Sequence, residues 1–271
     1  MSIQTLKSPL EIRLIGEAAL SVLSATGQGT VLASVTNAVY LQNQHGELCW
    51  LIPMDVPMHR RGLRLDAQLP RMKVGSTYQV VDHTLVFNFE ETLDFHQSLI
   101  WSEPKAVTQV IIPTSMLSEY LHLVTGRLLT QHHPSGLGYL IEPILQVAIL
   151  HQNTLPASFT SRIAEITWPE VNGIIQSSLG KDEKLFMRHV KSLVGLGEGL
   201  TPSGDDFLGG LLFAMRRLQD CNHGTMNLLA CIYSDFILQM KPLTNLLSYT
   251  ILMDHSGGHS VEPLHQLADG L

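Results

Sequence analysis

The glycine-rich segment GLGEGLTPSGDD, at residues 195–206, has the clearest potential for chemistry in this sequence. It holds four glycines among twelve residues. Glycine adopts positive φ and, because it lacks a Cβ, lets the backbone approach another group closely. Thr201 is a typical N-cap residue, and Pro202 suits the first turn of a helix. We therefore predict a constrained loop that leads into a helix N-terminus.

A loop of this kind can bind an anion through its backbone. The first N–H groups of a helix have no partner within the helix, and the helix dipole adds about half a positive charge there. Phosphate and carboxylate groups bind at such termini. The predicted ligand-binding residues offer a backbone amide or a hydroxyl group, and they are Gly195, Gly197, Gly199, Thr201, Ser203 and Gly204.

Asp205 and Asp206 are the two aspartates of the segment and its predicted catalytic residues. They are expected to bind Mg²⁺ against a phosphate or to position a proton. Adjacent side chains point about 100° apart on a helix, so both carboxylates can serve one metal ion only in a frayed first turn or through water. Mg²⁺ is thus a candidate cofactor, and no other cofactor is indicated.

A structural interpretation of the same residues stays open. Aspartate in the first turn of a helix interacts favourably with the helix dipole, by about 0.3–1 kcal/mol, without any ligand. Gly209 and Gly210 would then only permit close helix packing. The segment lacks the Lys-Ser/Thr pair that follows the glycines of a P-loop, and it has no clear dinucleotide-binding context.

The longer string GLGEGLTPSGDDFLGG, at residues 195–210, resembles the signature of a bacterial family of domains of unknown function. This family includes the AllH-like (H) subunit of oxamate carbamoyltransferase. The resemblance is strong over residues 185–215 and extends through the helical region 112–267. It is weak in the first hundred residues.

The resemblance implies a role in anaerobic purine degradation. Oxamate carbamoyltransferase transfers a carbamoyl group between oxamate and phosphate, which connects oxalurate to carbamoyl phosphate. Its AllH-like subunit acts with two companions, one of them similar to the α subunit of acyl-CoA synthetases. The chain is then either a transferase subunit that binds an anion such as carbamoyl phosphate, or a non-catalytic assembly subunit or ligand-binding protein of unknown substrate.

One feature of the family pattern is not found in this sequence. Family members continue past the equivalent of residues 262–265 into a segment of the type Gly-His-Thr/Ser-Ser-Gly-x-Asp, whereas this sequence ends at Leu271. Its residues 256–260, SGGHS, come too early and lack the following aspartate. If the family segment completes the site, this chain is incomplete or inactive on its own.

The elements that must position the loop change character along the chain. Short apolar runs rich in Val, Ile, Phe, Tyr and Trp predict strands at residues 31–41, 48–52, 78–81 and 84–89, while residues 10–23 fit a strand or a helix. After Pro104, apolar residues recur at helical spacing and predict helices at residues 114–130, 140–151, 183–194, 202–218, 226–240 and 244–253.

This order predicts an α+β protein. A strand-rich domain, built as a small barrel or sandwich, is expected at residues 1–104. A mainly helical domain that carries the glycine-rich loop is expected at residues 105–271.

Composition narrows the functional classes. With 17 basic and 24 acidic residues, the net charge is -7, so we expect no general attraction to nucleic acid. No window has the roughly 18–20 apolar residues of a membrane-spanning helix, and the first residues show no secretion signal. Three scattered cysteines form no CxxC pair, which favours reduced thiols and a cytoplasmic location.

Three weaker candidates stand outside the loop. Residues 58–64, MHRRGLR, can clamp a carboxylate with their arginines or form a solvated surface loop. Residues 132–138, HHPSGLG, can bring imidazoles to a pocket or form a solvated loop. His255 and His259 have the i, i+4 spacing of a metal pair on a helix, but Gly257 and Gly258 between them oppose a helix.

Overall fold

The N-terminal strands close into a barrel in the computed structural model, which describes residues 10–88, 91–104, 136–148, 161–221 and 237–269 and isolated positions between 116 and 159. Its strands are β1 (Leu10–Gly16), β2 (Gln28–Val35), β3 (Ala38–Asn43), β4 (Leu48–Ile52), β5 (Gly62–Leu65), β6 (Thr77–Val81), β7 (Thr84–Phe87), β8 (Glu91–Asp94) and β9 (Leu99–Trp101). Helix α1 (Glu17–Thr26) connects β1 to β2.

Strand pairing closes eight of these strands into a ring. Neighbours follow the order β5-β4-β3-β2-β6-β7-β8-β1-β9, and β1 also pairs with β5. The β4–β5, β1–β8 and β1–β9 pairs are parallel, and the other pairs are antiparallel. The predicted α+β class is confirmed, and of its two N-terminal alternatives the barrel is the observed one.

The barrel core is built from alternate strand residues, because successive side chains of a strand face opposite sides. Leu85 and Phe87 of β7 are buried, as are Leu63 and Leu65 of β5. Helix α1 contributes its own apolar face, which consists of Ala19, Val22 and Leu23. Cys49 is buried in the same core as a free thiol.

Two segments of the barrel differ from their predicted form. Residues 31–41 form not one strand but parts of β2 and β3, which are separated by a two-residue turn at Thr36 and Asn37. The turn interrupts an otherwise apolar run, so periodicity alone does not reveal it. Residues 10–23 are first a strand and then a helix, so both alternatives were partly correct.

The second half of the chain is mainly helical. Its helices are α2 (Ile141–Ala148), α3 (Arg162–Gly180), α4 (Glu183–Leu193), α5 (Ser203–Cys221), α6 (Leu246–Ser256) and α7 (Glu262–Asp269), with short helical turns at Gly136–Leu140, Ile237–Met240 and Lys241–Leu243. The sequence did not predict α3, in which Pro169 opposes a helical assignment although Trp168, Val171 and Ile174 bury one face. Eight positions of the predicted helix at 114–130 are described, and all of them are helical. Most of the predicted helix at 226–240 lies outside the described residues, as do His132 and His133.

The chain divides into two compact units. One consists of Met1–Lys105 with His259–Leu267, and the other of Ala106–Gly258 with Ala268–Leu271. The core of the second unit includes Trp168, Phe186, Leu193, Leu208 and Leu252. The domain boundary at residue 104 stays a prediction. Among the described helices, none combines the length and apolar character needed to cross a membrane.

Candidate functional site

The glycine-rich loop connects α4 to α5 with a backbone that only glycine adopts easily. Gly195, Gly197 and Gly199 have φ values of 73°, 124° and 96°. Leu196 and Glu198, which lie between them, do not have positive φ. A concave anion-binding surface known as a nest forms where residues of opposite handedness alternate and turn successive N–H groups toward one side. The loop shares with a nest the alternation of positive and non-positive φ.

Packing explains some of these glycines and not others. A Cβ on Gly195 would collide with the carbonyl oxygen of Leu243, and one on Gly204 would collide with that of Leu193. A Cβ on Gly197 would lie 2.7 Å from the backbone nitrogen of Ser203. No atom lies within 4 Å of the Cβ position of Gly199. The loop is therefore closely packed at its two ends and at Gly197, whereas the space around Gly199 is open.

Asp205 holds the loop from inside. Its side chain is buried, with 2% of the residue exposed. One carboxylate oxygen accepts the N–H of Gly195 at 2.7 Å, and the other accepts the hydroxyls of Thr244 at 2.5 Å and Ser248 at 2.6 Å. Both oxygens are thus occupied by donors of the loop and of the N-terminal region of α6.

Asn245 makes a second connection between α6 and the loop. As the N-cap of α6, it accepts the N–H of Ser248 through its side-chain oxygen at 3.0 Å. Its amide nitrogen donates to the carbonyl of Leu200 at 2.9 Å. The sequence analysis missed Thr244, Asn245 and Ser248 as parts of this site. The available signal is the Thr244-Asn245 pair directly before α6, because asparagine is a preferred N-cap residue.

Asp206 differs from its neighbour, because its side chain is exposed at the start of α5. Surrounding protein still partly desolvates its carboxyl group and raises its pKa above the usual range. A hydrogen bond with the side chain of Thr201 opposes that shift, and the charge of Asp205 adds to it. Of the two predicted catalytic residues, Asp206 is therefore the one that a ligand can reach.

The middle of the loop offers free backbone donors. Residues 197–200 are exposed, and Pro202 and Gly204 on the other side of Thr201 are buried. Within the described part of the chain, the N–H groups of Gly197, Glu198 and Gly199 donate to no other residue. Those of Gly195 and Gly204 are already used, by Asp205 and by the carbonyl of Leu196. Ser203 is half-buried beside Gly136.

A cleft of about 460 Å³ lies beside α4. Its lining includes three cationic side chains, those of Lys184, Arg188 and Lys191, together with Leu243, whose carbonyl faces Gly195. No acidic residue is among its lining residues. Residues 195–206 do not line this cleft. Its cationic side chains make it attractive to anions.

Two arginines of the segment 58–64 bind backbone carbonyl groups. Arg61 donates to the carbonyl of Leu48 at 3.1 Å, and Arg64 donates to that of Val56 at 2.8 Å. These bonds favour a structural role over a carboxylate clamp. Among the described residues, no group of three or more His, Cys, Asp or Glu side chains is arranged to hold a metal ion. The Mg²⁺ role of Asp205 and Asp206 stays a prediction.

Comparison with known proteins gives one result. Residues 193–271 match the model of a family described as oxamate carbamoyltransferase subunit AllH. Neither the comparison with curated proteins nor that with solved structures finds a similar protein. The matched segment contains the complete glycine-rich loop, α5, and the α6 residues that bind Asp205. This match confirms that the C-terminal part of the chain resembles the AllH family.

Proposed function

We propose that this chain is a subunit of an oxamate carbamoyltransferase and that its glycine-rich loop binds an anionic substrate. The family match over residues 193–271 supports the enzyme class. The observation that carries the site is the group of exposed, unused N–H groups at Gly197, Glu198 and Gly199, which precedes a helix N-terminus. Companion subunits and a cytoplasmic location follow from the same proposal.

The exposed carboxylate of Asp206 narrows the class of ligand. A simple anion gains from the loop amides but is repelled by this carboxylate. A molecule with an anionic group at one end and an N–H donor at the other can bind the loop amides with its anionic group and the Asp206 carboxylate with its N–H donor. Carbamoyl phosphate and oxamate each have this combination, because both carry an amide NH₂ beside a phosphate or a carboxylate. We infer that Asp206 accepts a hydrogen bond from the amide end of the ligand.

Asp205 receives a different role in this proposal. Because three internal donors already occupy its carboxylate, it acts as a positioning residue that keeps the loop in shape. A Mg²⁺ ion bound by both aspartates would have to displace those donors. Asp206 alone is therefore the better metal ligand, if a metal ion takes part.

A matched pair of variants at Glu198 tests the backbone donors. Glu198→Ala and Glu198→Pro both remove the carboxylate, but only proline also removes the N–H group. Titration calorimetry with carbamoyl phosphate should show unchanged or tighter binding for Glu198→Ala. Glu198→Pro should bind at least about fivefold more weakly, as expected for the loss of one hydrogen bond to a charged group. Equal binding by the two variants would contradict the amide site.

Asp206→Asn tests ligand recognition in the same assay. Acetyl phosphate replaces the NH₂ of carbamoyl phosphate by a methyl group and cannot donate to Asp206. The wild-type protein should prefer carbamoyl phosphate, and Asp206→Asn should lose most of that preference. If the preference survives in full, Asp206 does not contact the amide end.

A non-catalytic assembly role is the second candidate. Leu200 is an apolar side chain that is 37% exposed in the middle of the loop, and such a residue can pack against a companion subunit. No binding of carbamoyl phosphate or oxamate, together with loss of co-purification in Leu200→Ser, would favour this role over ligand binding.

A further inference from the structure

One face of α4 concentrates positive charge beside the cleft of about 460 Å³. Lys184, Arg188 and Lys191 lie at positions i, i+4 and i+7 of this helix, so their side chains emerge on the same side. All three residues are exposed, and all three line the cleft. The cleft therefore presents three cationic groups on one concave surface.

A second element of the same compact unit completes the cleft. Gln239 lies in the helical turn Ile237–Met240 and Leu243 in the turn Lys241–Leu243, and both line the cleft together with Met187 of α4. The side chain of Gln239 is a polar amide, whereas those of Met187 and Leu243 are apolar. Small-molecule sites have volumes of about 300–1,000 Å³, so the cleft can hold a ligand of several chemical groups.

The stability of α4 does not account for this arrangement of charge. A cation in the last turn of a helix interacts favourably with the helix dipole, which explains Lys191 but not Lys184 in the first turn. Like charges that lie three or four residues apart also destabilise a helix. No acidic residue stands three or four positions from any of the three cations to offset this repulsion. The three cations therefore suit a ligand better than they suit the helix.

Carboxylates of the described residues do not neutralise these cations. Lys184, Arg188 and Lys191 form no salt bridge with any residue that the structure describes. Glu170 of α3, which does contact α4, is bound to His189 at 2.7 Å. An anion in the cleft therefore meets positive charge that these carboxylates leave unpaired.

The spacing of the cations indicates an anion that carries several charges. Lys184 and Lys191 lie about 10 Å apart along the helix axis, which is too far for one phosphate group to contact both closely. Arg188 lies between them, and its guanidinium group can bind two phosphate oxygens at once, whereas each lysine donates as a point charge. A chain of two or three linked phosphates can contact the arginine and reach toward the lysines on either side.

We propose that this cleft is a second anion site, distinct from the glycine-rich loop, and that it binds a di- or triphosphate group, either inorganic or part of a nucleotide. Arg188 binds the middle of the phosphate chain, and Lys184 and Lys191 bind its ends. The apolar side chains of Met187 and Leu243 contact the organic part of a nucleotide. This site goes beyond the proposed carbamoyl transfer and does not depend on it.

Titration calorimetry of the full chain with inorganic triphosphate at low ionic strength tests the site. Arg188→Gln should weaken binding at least about fivefold, and the triple substitution Lys184→Gln, Arg188→Gln and Lys191→Gln should weaken it at least about 100-fold. Arg162→Gln removes an exposed cation of the same unit that does not line the cleft, so this matched control should bind like the wild-type protein. The melting temperature of the triple variant without ligand should stay equal or rise slightly, because repulsion within α4 is removed.

Two further ligands define the class of anion. Orthophosphate should bind at least about tenfold more weakly than triphosphate, because it contacts fewer of the cations. Adenosine triphosphate separates the two sources of the phosphate chain. Tighter binding than that of inorganic triphosphate would support a nucleotide ligand, and equal or weaker binding would support an inorganic one.

Four results would overturn the site. The first is no binding of triphosphate to the wild-type protein at concentrations up to about 1 mM. The second is an equal loss of affinity in Arg162→Gln, which would reveal general attraction to positive charge. The third is binding that survives the triple substitution but is lost in Glu198→Pro, since that anion would occupy the glycine-rich loop. The fourth is a glutamate-rich peptide that binds the three cations more tightly than triphosphate does, which would identify a docking surface for an acidic protein.

Discussion

Two carboxylates, one buried and one half-buried, lie one in each compact unit and differ in the donors that surround them. Asp205 accepts one amide and two hydroxyl groups, all of them neutral. Glu103 lies between two imidazoles and one amide. Neutral donors fix the chain around a carboxylate, whereas imidazoles also interact with its charge. The first arrangement suits a structural centre, and the second makes the stability that Glu103 provides depend on pH.

Removal of the Asp205 carboxylate should give the largest effect on stability. Asp205→Ala leaves the N–H of Gly195 and the hydroxyls of Thr244 and Ser248 without their acceptor in a buried site. At about 1–3 kcal/mol for each unsatisfied group, the free energy of unfolding should fall by at least about 3 kcal/mol. Urea denaturation measures this loss.

Asp206→Ala is the matched control for that experiment. Its side chain is exposed and loses mainly its interaction with the helix dipole, so the same truncation should change the free energy of unfolding by less than about 1 kcal/mol. Similar losses in the two variants would remove the distinction between an internal and a ligand-facing aspartate.

Glu103 should give the next largest effect, and that effect should depend on pH. Its pKa is lowered from 4.5 to about 2 in the folded protein. The unfolded chain therefore binds a proton at a higher pH than the folded chain, and acid favours unfolding. The resulting stabilisation, on the order of 3 kcal/mol, is complete above the unfolded pKa and is lost as the pH falls through the folded value.

Denaturation curves between pH 6 and about 2.5 test this sign. The stability difference between the wild-type protein and Glu103→Gln should shrink as the pH falls. A constant difference over that range would mean that the imidazoles do not stabilise the carboxylate.

The same contrast shows what the sequence could predict. Local patterns predicted the start of α5 to within one residue, because its helix N-terminal preferences depend on neighbours in the chain. The helix begins at Ser203, so Pro202 is the residue before it rather than its first residue, and Thr201 is not the N-cap. The strand-rich and helical parts were also predictable from apolar periodicity. Asp205 was correctly chosen as a notable residue, but its burial depends on Thr244 and Ser248, which lie about forty positions away.

The contacts of Glu103 with His259 and His265 could not be predicted from the sequence, because they too join residues that are far apart in the chain. Glu103 and His259 are 156 positions apart, and only the folded chain brings them together. The glycines between His255 and His259 made the metal-pair interpretation doubtful, and the structure ends α6 at Ser256, between the two histidines. A lone glutamate near Pro104 carries no local signal of its partners.

The smallest predicted effects lie within the loop and compare its packed end with its open middle. Gly195→Ala combines a left-handed φ with a collision against the carbonyl oxygen of Leu243, and it should cost about 2–3 kcal/mol of stability. Gly199→Ala has the same kind of φ but open space around its Cβ, so its cost should be about 1 kcal/mol. Urea denaturation of both variants measures the difference.

The pair also separates stability from binding. Gly199 belongs to the proposed anion-binding surface, whereas Gly195 already donates its N–H to Asp205. A Cβ at Gly199 should therefore weaken carbamoyl phosphate binding more than its small stability cost suggests. A backbone that is held by Leu243 and Asp205 cannot accommodate the added carbon at Gly195. A smaller loss of stability in Gly195→Ala than in Gly199→Ala would therefore show that these contacts do not hold this end of the loop.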